Sequence, residues 1–351
     1  MRVGRLPLLE AGRPLYTCLP SIMTVFQLVF SPTHKMLSRI LRLLVLLALT
    51  NVGPAFGQQP AQPQPNPAEL EELVSRAALA VSEYKAKFKD LTADEEQKVE
   101  EYDSAGKLKR QRLIVSELVI YQSQQDTSLT AEYRNVRSVD GVDVAKREER
   151  LVNLFGRLAK ADSVKKELDR ISRESRRHDL GVSAYGQALD QGVPLGRIER
   201  ASFRFTVAAR EQVKGRNVIV LQYQQVAQSP LIAFKLSLPA ALKGAEPLYR
   251  GRLWVDAETA QLWREEREWT LQHTSFGRPL VFMRTEFDYA ASRFGILTPQ
   301  RIVVSTYSRG RTGADKLPEL LLGWKVTFNY SDFRRFDVAS PDTSPSPPAK
   351  L

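Results

Sequence analysis

Arg250–Leu271, RGRLWVDAETAQLWREEREWTL, carries three of the chain's four tryptophans, Trp254, Trp263 and Trp269. Its reading decides the fold. The stretch divides into two strands joined at Asp256-Ala-Glu-Thr259. Trp263–Trp269 (WREEREW) would also make a respectable helix by propensity. Strand is favoured because the segments on both sides alternate and turn chemistry bounds the stretch.

Downstream, Val281, Met283, Thr285, Phe287 and Tyr289 share one face against Phe282, Arg284, Glu286 and Asp288. Ile302–Tyr307 and then Trp324, Val326, Phe328 and Tyr330 continue the alternation. Upstream, Phe203, Phe205 and Val207 alternate, Lys214-Gly215-Arg216-Asn217 turns the chain, and Val218–Val226 returns. From Ala201 on the chain therefore reads as an antiparallel meander. Period two with one polar face implies a sheet covered on one side only. Between these strands, Pro230–Leu248 is unusually apolar for a loop, with Leu231, Ile232, Phe234, Leu236, Leu238 and Leu242. Such a loop is a lid or binding segment, or a buried irregular stretch plugging the core.

The first helix is announced by Asn66 as cap, Pro67 at the first helical position and Glu69 in the capping-box place. Leu70, Leu73, Val74, Ala77, Val81, Tyr84 and Phe88 then fall on one face, and that stripe must be buried against a sheet. Leu91–Asp103 is charged and ambiguous. Leu113–Tyr121 and Tyr133–Val139 read as strands, the second ended by the tight-turn pair Asp140-Gly141. Ala145–Ala161 and Ser163–Arg177 read as helices, with Asp162 or Ser163 as cap of the second and Gly181 as its stop. The charge-rich run Arg170–Arg177 reads as a solvated helix face. The pattern makes an α+β domain over residues 67–338, with a helical insert at about 145–178.

The ends stand apart. From Met36, MLSRILRLLVLLALTNVGPAFGQQ has basic Arg39 and Arg42, an apolar core at Leu43–Leu49 and a small-x-small site at Ala55-Phe56-Gly57. That is the layout of a secretory signal over residues 36–57, too short in its apolar run to span a bilayer well; an uncleaved membrane anchor is the competing reading. Residues 1–35 read as an extension upstream of the true start. Residues 58–66 form a Pro/Gln linker, and 339–351 a Ser/Pro tail too poor in apolar residues to fold.

Composition narrows the chemistry. Removing the six basic residues and one acid before residue 58 from totals of 51 and 40 leaves 45 and 39, a net +6. The excess is spread out, with none of the concentrated stripe that nucleic acid requires. It suits an anionic envelope surface or an ordinary solvated face. The one cysteine, Cys18, precedes the cleavage site, so the mature chain has neither disulfide nor thiolate ligand, nor a cysteine after the signal for lipid attachment. His178 and His273 lack ligand-spaced partners, so no metal or cofactor is expected. No nucleophile elbow, phosphate-cradling loop or dinucleotide fingerprint occurs, and Ser308–Gly313 reads as a turn. Glu265, Glu266 and Glu268 beside Arg264 and Arg267 could pair across a cleft as glycosidase carboxylates. Charge pairing across a wet strand face is the ordinary account, and no catalytic residue is assigned.

The hairpin Gly251-Arg-Leu-Trp-Val-Asp256 with Thr259 and Leu262, and the late strand Tyr330-Ser-Asp-Phe-Arg-Arg-Phe336, resemble the LolA/LolB-type half-barrels of bacterial envelopes over about residues 200–337. The helical insert is not part of that pattern. Phe88-Lys-Asp-Leu, Glu117-Leu-Val-Ile-Tyr121 and Arg173-Glu-Ser-Arg176 are similar to a set of uncharacterised secreted bacterial proteins, which adds no function. The half-barrel resemblance implies a curved antiparallel sheet, a half-barrel-like meander, wrapped on amphipathic helices with a cavity for acyl chains. It implies a non-catalytic periplasmic or secreted binding protein for lipid or an acylated protein. A structural module of the envelope that docks a protein partner, with no small ligand, is the alternative. The residues expected to line the space are Leu253, Val255, Trp263, Trp269, Met283, Phe287 and Phe328, with Leu231, Ile232 and Phe234 as lid. The same residues would equally make a filled core.

Overall fold

Asn66 caps the first helix as its sequence implies, accepting the Ala68 N–H at 3.1 Å. The protein's structure is a computed structural model that describes residues 66–89, 91–122, 130–158, 163–180, 187–228, 246–272, 279–309 and 320–335. Helix α1 spans Pro67–Lys87. Its stripe is buried as the spacing requires, with Val74, Ala77, Val81, Tyr84 and the following Phe88 at 3% exposure or less. Each large apolar side chain so buried contributes about 1.5–3 kcal/mol, which holds a helix that would be marginal alone.

Among the described residues eleven antiparallel strands follow: β1 Leu91–Tyr102, β2 Leu108–Gln122, β3 Thr130–Val139, β4 Val142–Asp143, β5 Phe203–Val213, β6 Arg216–Gln225, β7 Glu246–Asp256, β8 Leu262–Gln272, β9 Leu280–Ala291, β10 Leu297–Arg309 and β11 Leu320–Arg335. They form one open, curved sheet in the order β4-β3-β2-β1-β11-β10-β9-β8-β7-β6-β5. With α1, α2 (Arg147–Leu158) and α3 (Val164–Ser175), this is the α+β half-barrel that the sequence leads one to expect.

The tryptophan stretch is the β7–β8 hairpin. Asp256 Oδ1 accepts the N–H groups of Glu258 and Thr259 at 3.0 and 2.9 Å, and Ala260 takes a left-handed φ of 59° to close the turn. Asp256 Oδ2 accepts Arg216 Nε from β6 and the Trp263 indole N–H, each at 3.0 Å. Burial alone would raise this carboxyl's pKa. The Arg216 bond, the backbone donors and the indole outweigh it and hold the group well below the usual carboxylate range. Asp256→Asn is expected to cost about 2–3 kcal/mol at pH 7, the worth of losing hydrogen bonds to a charged acceptor. Because the folded pKa is depressed, the carboxylate's contribution is present above about pH 3.9 and is lost only as pH falls further. Urea denaturation of both proteins at pH 7 and pH 3 measures this, and the gap should narrow in acid.

The sheet decides two points that the sequence leaves open. The charged Leu91–Tyr102 is a full strand, and Glu95 on its inner face meets buried partners on β2 and β3, Ser116 and Arg134. The helical insert does not share the α1 side of the sheet. Leu154, Leu158, Leu168 and Ile171 of α2 and α3 pack with Val119, Ala131 and Tyr133 on the opposite, outer face. The sheet is therefore covered on both sides at β2–β3. Over β7–β9 the outer face carries ion pairs, Arg250–Glu268–Arg284 and Arg252–Glu266–Arg264. Glu246–Leu248 belongs to β7, so the apolar loop ends earlier than its composition implies.

Candidate functional site

The inner face is built from rows of side chains set by register. Through its centre run Phe328, Ile302, Phe287, Glu265, Leu253 and Leu221, one from each of β11 to β6. Phe328, Ile302, Phe287, Leu253 and Leu221 are all 0% exposed and share one core with α1. Val255 is likewise 0% exposed. These four expected lining residues, Leu253, Val255, Phe287 and Phe328, thus form filled core and not an open wall.

Four residues along each strand the picture changes. Trp324, Thr306, Met283, Trp269 and Tyr249 form a row at the end of the sheet from which the β6–β7, β8–β9 and β10–β11 connections leave. Trp324, Met283 and Trp269 are only half-buried. Tyr249 stacks edge-on against Trp269 with centroids 4.9 Å apart, and the Arg110 guanidinium lies 5.6 Å from the Trp324 ring. Two expected lining residues, Trp269 and Met283, are brought together here. Trp263 is not. It sits at the bulge beside the β7–β8 turn, at the other end of the strands, bonded to Asp256. Leu231, Ile232 and Phe234 lie outside the described residues. Sequence reasoning placed Trp324 on a strand but missed its place in this row, and missed Tyr249 and Thr306. Only the pairing register, which no single strand encodes, sets them beside Trp269 and Met283.

The second thing missed is charge. Glu265 and Arg267 are read above as part of a wet face, but two-residue spacing puts both on the inner side, at 0% and 6% exposure. Arg267 donates Nε to Glu265 Oε1 at 2.5 Å and its second nitrogen to Oε2 at 3.1 Å, and its guanidinium lies 4.2 Å from the Phe287 ring centroid. A matching unit stands on the far side of β11. Arg134 of β3 donates Nε to Glu95 Oε1 of β1 at 2.7 Å, Ser116 donates to the same oxygen at 2.8 Å, and the guanidinium lies 5.0 Å from the Phe328 ring centroid. Burial opposes each arginine's charge, but the adjacent carboxylates more than restore it, so both remain protonated.

The segment after α3 fastens to these units. Its described residues from 187 on include three short 3-10 turns, Gln187–Leu189, Val193–Leu195 and Arg200–Ser202. Leu189 donates its N–H to Glu132 at 3.2 Å, and Gly192 donates to Glu265 Oε2 at 2.8 Å. Gly192 has a φ of +59°, and a Cβ there would come within 2.5 Å of Val81 Cγ2, so the turn admits only glycine. Among the described residues no group of three acidic, histidine or cysteine side chains is placed to hold a metal, and no helix is long and apolar enough to cross a membrane.

No family model and no curated protein matches the chain. Solved structures do. A DUF1329 family protein from Desulfovibrio piger is 12% identical, the match covering 77% of this chain and 95% of that one at a TM-score of 0.31. A LolA superfamily protein from Nitrosomonas europaea is 10% identical over 76% of this chain and 94% of its own, at 0.26. The Mycobacterium tuberculosis lipoprotein LppX is 8% identical over 75% and 95%, at 0.22. The functional reading rests on the side chains above.

Proposed function

We propose that the chain is a non-catalytic exported binding protein that takes a lipid or a lipidated protein at the Trp269–Met283–Trp324 end of its inner face. The observation that carries the reading is the contrast between the centre of the inner face and this end of it. The centre is filled core shared with α1, while the end keeps three large apolar side chains half-buried in a single row. An acyl chain laid along that row gains about 0.8 kcal/mol per methylene removed from water, so it needs no strong polar contact. In this reading the leader at residues 36–57 delivers the protein to the periplasm or beyond.

The test is native mass spectrometry of the purified protein for co-purifying amphiphile, followed by quenching of tryptophan fluorescence with a brominated fatty acid. Trp269→Ala combined with Met283→Asp is expected to weaken quenching by at least about tenfold, the worth of two or more lost methylene contacts. The filled centre, where Leu253, Phe287 and Phe328 are 0% exposed, favours the second reading: an envelope interaction module with no small ligand. Absence of amphiphile and of quenching, with one stoichiometric protein partner recovered, would decide for it.

A further inference from the structure

At the end of the strands opposite the tryptophan row, the β9–β10 turn and the last residues of β11 enclose a pocket of about 380 Å³. Ala291, Arg293, Phe294, Gln300, Asp332 and Phe333 are among its lining residues. The volume is that of a small-molecule site, and part of the wall is apolar. Phe294 and Phe333 are half-buried, and the Phe333 ring centroid lies 5.8 Å from that of Phe88 and 6.3 Å from that of Tyr330. Ser292 holds the turn in shape: its hydroxyl donates to the Ile296 carbonyl at 2.7 Å and accepts the Phe294 N–H at 3.3 Å. The charge here is one-sided. The Arg293 and Arg335 guanidiniums lie 5.3 and 5.8 Å from the centre of the same Phe294 ring. Arg293 donates one nitrogen to the Phe333 carbonyl at 3.2 Å, and Lys214 donates to Gln300 Oε1 and the Tyr289 carbonyl at 2.9 and 3.0 Å. All three acceptors are uncharged. Among the described residues no carboxylate lies within 4.0 Å of any of these three cations. The lining acid, Asp332, is paired with Arg334 at 3.2 Å. Two guanidiniums held at one ring repel each other, and among the described residues no acid offsets that repulsion.

We propose that this pocket binds a phosphate monoester with an apolar body, the phosphate taken by Arg293 and Arg335 and the body laid against Phe294 and Phe333. The charge favours phosphate over a carboxylate. A monoester carries about −1.5 to −2 at pH 7, which matches two unpaired guanidiniums with Lys214 beyond them, whereas one carboxylate would leave a cation over. The planar forks of arginine also meet phosphate oxygens in pairs. Ala291, Arg293 and Gln300 are exposed, so the pocket opens to solvent and to any surface the protein rests on. The same group occurs on soluble esters and on the headgroup of an anionic lipid such as phosphatidic acid. The site is remote from the tryptophan row and does not depend on what that row takes.

Two probes test the site on the full chain: calorimetric titration with phenyl phosphate, and flotation with phosphatidylcholine vesicles made with and without phosphatidic acid. Arg293→Ala with Arg335→Ala is expected to weaken binding by at least about tenfold, the worth of one lost charge-assisted contact. Arg204→Ala with Lys325→Ala removes the same charge from other parts of the sheet and should change binding by less than about twofold. Ala291→Trp, which fills the mouth and keeps both arginines, should abolish binding, with thermal denaturation confirming that each variant folds. Saturable phenyl phosphate binding without flotation assigns the site to a soluble ester. Flotation that needs phosphatidic acid and is lost with the arginine pair assigns it to a lipid surface. Four outcomes overturn the proposal: neither probe binds, binding survives the arginine replacements, the control pair weakens it equally, or Ala291→Trp leaves it unchanged. None of them bears on the tryptophan row, so this test and the quenching test can fail separately.

Discussion

Glu265→Leu is expected to destabilise the protein by about 3–5 kcal/mol, because it leaves the Arg267 guanidinium charged, 6% exposed and without its bidentate partner. The Gly192 N–H loses its acceptor in the same step. The cost belongs to the orphaned charge and not to the value of the ion pair. Replacing both partners, Glu265→Leu with Arg267→Met, should therefore recover most of the loss, since a buried pair exchanged for apolar groups of similar volume is often neutral. Urea denaturation of the two single variants and the double variant closes the cycle. A single replacement costing less than about 1 kcal/mol would mean that water reaches Arg267, and the inner face would then be wetter than described.

Gly251→Ala is expected to cost about 3 kcal/mol or more, for reasons of space alone. Its φ lies outside the left-handed region, yet an added Cβ would fall 1.9 Å from the Glu266 carbonyl oxygen and 2.5 Å from the Tyr223 hydroxyl. That hydroxyl donates to the same carbonyl at 3.1 Å, so the ring of a β6 tyrosine lies across the β7 glycine to reach β8. The new methyl must push strands apart and break a buried bond, which together exceed an ordinary overpacking penalty. Tyr223→Phe alone should cost about 1 kcal/mol. Added to Gly251→Ala it should relieve only part of the strain, because the carbonyl is backbone and cannot withdraw. Thermal denaturation of the three variants distinguishes this from a general intolerance of substitution in β7.

Some of the fold is legible because local chemistry and tertiary demand agree. Asn66-Pro67 followed by a stripe at helical spacing has one good solution, and so has Asp140-Gly141, where both residues take the positive φ of a tight hairpin. The β7–β8 hairpin is readable for the same reason: the Asp256 side chain organises its own turn. Leu91–Tyr102 is not readable, because Glu95 and Gln97 occupy inner positions that an alternation rule reserves for apolar side chains. What satisfies Glu95 is Arg134, about forty residues away and two strands across. The misreading of Glu265 and Arg267 has the same root. A strand of alternating charges shows its period but not which phase faces inward, and here tryptophans at Trp254 and Trp269 lie on opposite faces. Trp254 packs on the outer side between the guanidiniums of Arg252 and Arg264, 5.1 and 4.7 Å from its ring centre. The row at Trp269, Met283 and Trp324 is half legible: its residue types stand out, but their adjacency belongs to the register.

The strand order carries a consequence for how the chain is made. β1 to β4 and β5 to β11 are each a run of neighbours in sequence, and the two runs meet at a single seam, β1 against β11. That suture draws on the most distant pairing in the sheet, so neither half can finish its interior until Leu320–Arg335 has emerged from the ribosome. Throughout synthesis the oily stripe of the opening helix waits for partners that do not yet exist. A nascent chain stalled short of Leu320 would display that stripe, and would need a chaperone to keep it from its neighbours.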